Sequence, residues 1–241
     1  ACGVRDGQLI LSRGGNEHDL GAVTAMPLSV GGAARYNIAN IAAASLAAQA
    51  LDIPPAKIAA VLTRFGASNA DNPGRLQRWR LGDVEVLLDY AHNPDGLRGL
   101  LDVAAGLRRG GRLGLLLGHA GNRLKSDFRA LAEVAAQAKP DRVWLKDIGG
   151  DYLRGRASGD VAMILRDALL ASGMADADLP VCLDEAQASR EALAWANAGD
   201  LLVLPVHEPA RRDEVVALLD RLQAEGWRAG EPLPEAFAHD L

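Results

Sequence analysis

Val84-Glu85-Val86-Leu87-Leu88-Asp89-Tyr90-Ala91-His92-Asn93-Pro94-Asp95-Gly96-Leu97 passes from an apolar strand to a helix through a polar elbow. Val84–Leu88 is a short apolar run. Asn93 is suited to cap a helix, and Pro94 fits the first helical position, where its missing N–H leaves nothing unbonded. Leu97, Leu100, Leu101 and Val103 continue at helical spacing. Asp89 and His92 therefore stand at the carboxyl end of a strand and above a helix N-terminus.

Downstream the alternation repeats. Leu113–Leu117 reads as a strand, followed by a helix capped by Ser126 and carrying Phe128, Leu131 and Val134. Val143–Leu145 precedes a long polar loop and a helix at Val161–Leu170. Val181–Leu183 leads into a helix over 185–197, and Leu201–Val206 into one over 212–223. Near-continuous apolar strands between helices predict a mostly parallel sheet covered on both faces, a Rossmann-like α/β fold. In such sheets ligands bind outside the carboxyl ends of the strands. The loops there are Asp89–Pro94, Gly118-His119-Ala120-Gly121-Asn122-Arg123, Lys146–Arg156 and His207-Glu208-Pro209-Ala210-Arg211-Arg212.

Upstream, residues 1–34 are Gly-rich, with short strand candidates at Gln8–Leu11 and Met26–Val30. Asn37–Leu51 is helical in pattern, and Asp52-Ile53-Pro54-Pro55 stops one helix and starts another. That second helix carries Ile58, Val61, Leu62 and Phe65, and Gly66 closes it. Residues 67–74 are turn-formers throughout. The boundary falls there, giving a small α+β piece over 1–72 and the α/β domain over 73–241.

Composition narrows the function. The chain has 241 residues, of which 49% are hydrophobic, and its formal net charge is −5. That balance is unlike a nucleic-acid footprint, which needs a basic face. No apolar run reaches the ~18 residues of a membrane span. Cys2 and Cys182 are far apart, so a disulfide scaffold is excluded and a reducing, cytoplasmic setting is expected. His18, His92, His119, His207 and His239 show no metal-ligand spacing, and no metal site is expected. GxxxxGK[ST], GxGxxG and GxSxG are all absent. Each strand-end loop also has a plainer reading. Asp89 and Asn93 could satisfy loop backbone groups, Gly118 and Gly121 could be turn glycines, and Arg154 and Arg156 could be solvated charge.

Together these segments resemble one family. Tyr36-Asn37-x-x-Asn40 is similar to the adenine-side helix of the Mur ligases, and Asn72-Pro73-Gly74-Arg75 to the Pro-Gly-Arg that opens their third domain. Asp89-Tyr90-Ala91-His92-Asn93-Pro94 is close to the Asp-Tyr-x-His-x-Pro signature of muropeptide ligases and cyanophycin synthetases. Asp147, Leu153-Arg154-Gly155-Arg156 and Gly159-Asp160 look most like the cyanophycin synthetase branch. Two departures stand out: Tyr36 where the family usually has His, and Asn122 where a Gly-Asp-Arg is usual.

The resemblance implies an ATP- and Mg2+-dependent ligase that phosphorylates a carboxylate and lets an amino acid's amine displace the phosphate. It implies nucleotide binding by Asn37, Asn40, Arg75, Asp89 and His92. The amides of Asn37 and Asn40 would read an adenine edge, Arg75 would neutralise phosphate, and Asp89 would accept from ribose hydroxyls. Lys146, Asp147, Arg154 and Arg156 would hold the incoming amino acid or peptide. The P-loop and the Mg2+-binding carboxylates of the family's central domain are missing. The chain is therefore expected to be the C-terminal portion of a larger ligase, to work with upstream domains of the same protein, and not to turn over ATP alone. A homo-oligomer is compatible with this reading. The alternatives are a muropeptide or folylpolyglutamate ligase domain, and a non-catalytic module that binds a nucleotide or a protein.

Overall fold

The computed structural model describes residues 1–235. His239 and the carboxyl-terminal end of the second segment lie outside the described residues. The chain divides into two compact units, one comprising Ala1–Pro73 with Ala105–Leu107, the other Gly74–Ala104 and the residues from Arg108 onward.

In the first unit, β1 (Cys2–Arg5), β2 (Gln8–Arg13) and β3 (Asn16–Ala22) form an antiparallel meander. The helices α1 (Arg35–Ala50) and α2 (Pro55–Leu62) follow. Leu9, Leu11 and Leu20 of the sheet close on Met26, Ile41 and Ile58 to make its core. Met26–Val30 was expected to be a strand and is not one. Pro27–Ser29 forms a single 3-10 turn. Pro27 fixes φ and removes a ladder donor, and the Ser29 hydroxyl donates to the Val23 carbonyl at 2.7 Å, folding the segment back on itself.

The second unit is a five-stranded sheet in the order β4-β5-β8-β6-β7. Its strands are β4 (Gln77–Leu81), β5 (Val84–Asp89), β6 (Leu113–Leu117), β7 (Arg142–Leu145) and β8 (Leu201–Pro205). The pairs β5–β8, β8–β6 and β6–β7 are parallel, and β4 runs antiparallel to β5 at the edge. The helices are α3 (Pro94–Leu107), α4 (Lys125–Gln137), α5 (Asp160–Ala171), α6 (Glu185–Trp195) and α7 (Pro209–Glu225). One face of the sheet, with Trp79, Val86, Leu116 and Leu202, packs against Ala188, Ala192, Val215 and Leu219 of α6 and α7. The alternate set, Leu87, Leu115, Leu117 and Val203, is equally buried, so both faces are covered. This is the predicted Rossmann-like α/β architecture.

Two local expectations are corrected. The helix α4 begins at Lys125, and its N-terminal backbone is met by Asp127, which accepts from the Leu124 N–H at 3.1 Å; Ser126 does not cap it. Val181–Leu183 is not a strand. It makes one parallel bridge, Leu145 to Val181, because Pro180 before it has no N–H to offer and Val181 lies at the sheet edge, 44% exposed. Among the described residues, no helix is long and apolar enough to cross a membrane.

Candidate functional site

The parallel strands all point their carboxyl ends the same way, and the charged loops gather there. Tyr90 is the hub of the first group. The Arg75 guanidinium lies 5.0 Å from the centroid of its ring, and the rings of His92 and His207 are each 5.3 Å from it. Arg75 is exposed, so its charge is open to a ligand, while Asp89 is buried. Asp89 Oδ2 accepts from the Leu76 N–H at 2.7 Å. Burial raises the Asp89 pKa, against the lowering effect of that backbone donor and of Arg75. Asn93 caps α3, its side chain accepting from the Gly96 N–H at 2.8 Å, with Pro94 at the first position as predicted. Arg75, His92 and His207 are thus gathered around the Tyr90 ring, and the Arg75 charge acts on Asp89, the residue before Tyr90.

In the first unit, Asn37 and Asn40 share a face of α1. Asn40 is exposed. Asn37 is buried, its amide donating to the Leu28 carbonyl at 3.0 Å and accepting from Asn40 at 3.4 Å. Part of its hydrogen-bonding capacity is therefore committed to holding the loop before α1.

The loop after β7 treats its four predicted residues differently. Lys146 is fully buried, its Nζ donating to Glu185 and lying 3.0 Å from His207 Nδ1. That burial takes Lys146 out of reach of a substrate in solvent, and its role is internal. Asp147 is also buried. Its Oδ2 accepts from the Ser158 hydroxyl at 2.9 Å and the Gly159 N–H at 2.7 Å, while its Oδ1 has no hydrogen-bond partner. A buried carboxylate oxygen without a donor is costly. Arg154 is exposed and sits in the left-handed region at φ 50°, its guanidinium 5.7 Å from the centroid of the Tyr152 ring. Arg156 donates to the Gly121 carbonyl at 2.7 Å and lies over Phe128, which ties the loop after β7 to the loop after β6.

The glycines of the second loop are there for space. A Cβ on Gly121 would fall 2.0 Å from the Leu153 carbonyl oxygen, and one on Gly118 would fall 2.6 Å from that of Lys146. Between them, His119 is buried edge-on against Phe128, with its Nδ1 unpartnered. Burial, then the nearby Arg123, push its pKa down to about 4, so it is neutral at physiological pH.

Sequence reasoning overlooked Glu185, at the start of α6. It is buried, and accepts from Lys146, from the His207 N–H at 2.9 Å and from the Glu208 N–H at 2.7 Å. Burial works against its charge, but Lys146 and His207 hold its pKa down at about 2. The only signal in the sequence was an acidic pair, Asp184-Glu185, directly after an apolar run.

A mostly parallel sheet thus gathers a buried carboxylate, an exposed guanidinium and a glycine-bounded loop at its strand ends. The chain belongs to the Mur ligase family: residues 74–205 match its "Mur ligase, glutamate ligase domain". It is similar to the cyanophycin synthetase of Trichormus variabilis, at 32% identity over 224 residues, covering 91% of this chain and 24% of that protein. It is also similar to the UDP-N-acetylmuramoyl-L-alanyl-D-glutamate–2,6-diaminopimelate ligase of Gloeobacter violaceus, at 34% identity, covering 70% of this chain and 32% of that protein. The chain thus spans about a quarter of the length of the cyanophycin synthetases it matches. In fold it resembles E. coli FolC in complex with DHPP and ADP, with a TM-score of 0.63 at 21% identity over 91% of this chain and 45% of that one. A murein peptide ligase from Psychrobacter arcticus gives a TM-score of 0.56 at 14% identity, over 90% of this chain and 43% of that one.

Proposed function

We propose that this chain is the C-terminal portion of an ATP-dependent acid–amino-acid ligase of the cyanophycin synthetase type, working with upstream domains of the same cytoplasmic protein. Residues 1–72 are read as the tail of the central ATP-binding domain, and residues 73–241 as the domain that binds the incoming amino acid and closes over ATP. The observation that carries the reading is the exposed Arg75 guanidinium stacked on Tyr90 beside the buried Asp89.

In the reaction, a substrate carboxylate oxygen takes the γ-phosphoryl group of ATP, releasing ADP. The amine of the amino acid attacks the acyl phosphate carbonyl, phosphate leaves, and the amine loses a proton. Arg75 neutralises phosphate charge, which grows in the transition state. Asp89, with His92 of the same loop, accepts from ribose hydroxyls, and Asn37 and Asn40 read the adenine edge. Asp147 receives the cationic group of the amino acid, Arg154 its carboxylate, and Arg156 holds their loop in place; Lys146 opens that loop, held by Glu185 and His207. Mg2+ would screen the triphosphate, but among the described residues no group of three or more His, Cys, Asp or Glu is placed to hold a metal ion. No step through it is assigned to this chain.

The test is phosphate release from ATP by the complete protein encoded around this segment, with and without amino acids. Release that depends on an amino acid is expected from the complete protein and not from the 241-residue chain alone. Phosphate release by the chain alone that is lost in Asp89→Ala would overturn the division of labour.

A further inference from the structure

Three strand-end loops meet at one buried cluster. Lys146 follows β7, His207 follows β8, and Glu185 opens α6; all three side chains are sealed from solvent. Lys146 Nζ donates to Glu185 and lies 3.0 Å from His207 Nδ1. On the far side of the ring, His207 Nε2 lies 3.0 Å from the carbonyl oxygen of Ala91, in the middle of Asp89–Pro94. A carbonyl accepts only, so the hydrogen sits on Nε2. His207 Nδ1 also lies 3.1 Å from Glu185 Oε1. Burial, then the Lys146 charge, lower the His207 pKa, so the ring is neutral. With its hydrogen on Nε2, it presents the Nδ1 lone pair to the Lys146 ammonium, which only donates. The Glu185 carboxylate balances the one charge that remains, that of Lys146, and also takes the N–H groups of His207 and Glu208.

Such a cluster is a poor source of net stability, because both charges have lost their water. What it does supply is geometry: a chain of directed bonds from the first residue of the loop after β7 to the carbonyl two residues past Asp89. We propose that Glu185, Lys146 and His207 are positioning residues, which set the nucleotide-side loop Asp89–Pro94 against the amino-acid-side loop that begins at Lys146, through the His207–Ala91 hydrogen bond. This rests on the assignment of Asp89 and His92 to the nucleotide.

Two substitutions separate the two sides of the ring. The amide nitrogen of Gln reaches the place of Nε2 and keeps the bond to Ala91. The shorter Asn places its amide oxygen near Nδ1, keeping the bond from Lys146 and losing Ala91. The experiment compares ATP affinity by calorimetry and melting temperature for the parent, His207→Gln and His207→Asn, and reads the His207 tautomer from side-chain 15N NMR of the parent chain. The expected result is an Nε2–H tautomer, a similar fall in melting temperature for both variants, ATP affinity within about threefold of the parent for Gln, and a loss of about tenfold for Asn, the worth of one hydrogen bond. Equal ATP affinity in the two variants, or an Nδ1–H tautomer, overturns the proposal. A parent that shows the expected tautomer but binds no ATP overturns the positioning role through failure of the nucleotide assignment, with the cluster itself intact.

Discussion

The backbone N–H of Leu76 donates to Asp89 Oδ2 at 2.7 Å, so the last residue of β5 is held by the residue before β4. The same carboxylate is buried, which raises its pKa from 3.8, with Leu76 and Arg75 opposing the rise. A carboxylate whose folded pKa is raised is protonated more readily in the folded state. Its ionisation therefore costs stability, and the cost appears as pH rises through the window between 3.8 and the raised folded value. Asp89→Asn keeps an acceptor for Leu76 and removes the charge. Its melting temperature at neutral pH should equal or exceed that of the parent, with the difference gone below the window, while ATP affinity falls about tenfold. A variant that loses both stability and affinity would show Asp89 to be structural.

Glu185 behaves in the opposite sense. Its folded pKa of about 2 lies below its ordinary 4.5, so the stability it contributes is complete above about 4.5 and is lost as pH falls toward 2. Glu185→Gln should flatten that part of the acid unfolding profile. At neutral pH it should cost about 3–5 kcal/mol, because it leaves the Lys146 ammonium buried and unpaired. Adding Lys146→Met to Glu185→Gln should cost less than the sum of the two single changes. Urea unfolding of the three variants measures this directly.

Gly121 carries a packing prediction. In Gly121→Ala the new methyl group would meet the Leu153 carbonyl at 2.0 Å, so the turn carrying Tyr152 and Arg154 must move. The expected cost is about 1–3 kcal/mol of stability. In the complete ligase the amino-acid KM should rise with the ATP KM unchanged.

Arg75 and Arg154 should separate in kinetics. In the complete ligase Arg75→Ala should lower kcat by about 10²–10³-fold, since phosphate charge builds in the transition state, and move the ATP KM much less. Arg154→Ala should raise the amino-acid KM about tenfold with kcat preserved. An Arg154→Ala variant that changed only the ATP dependence would reassign that loop to the nucleotide.

The sequence was most informative where local chemistry repeats. Asn93 and Pro94 announce the start of α3, and the apolar runs of β5, β6 and β8 announce a sheet buried on both faces. It was least informative where the determining partner is distant. Lys146 reads as a substrate contact because its partners Glu185 and His207 lie 39 and 61 residues away. The edge strand β4 escaped notice because Arg78 and Arg80 interrupt its apolar residues; paired with β5, it shows the alternation of a strand wet on one side. Tyr90 was visible as part of a motif, but its place between Arg75, His92 and His207 depends on β8 lying beside β5.

The antiparallel pairing of β4 with β5 works as a ruler. Gln77 faces Leu88 and Leu81 faces Val84, so Arg75 and Asp89 are brought to one end of the hairpin while the Gly82-Asp83 turn lies at the other. Lengthening that turn would leave the ladder, and with it the spacing of guanidinium and carboxylate, untouched. Slipping the ladder by a single residue would exchange the inner set Gln77, Trp79 and Leu81 for the arginines between them. In this chain the turn can therefore change length, but the ladder cannot change phase.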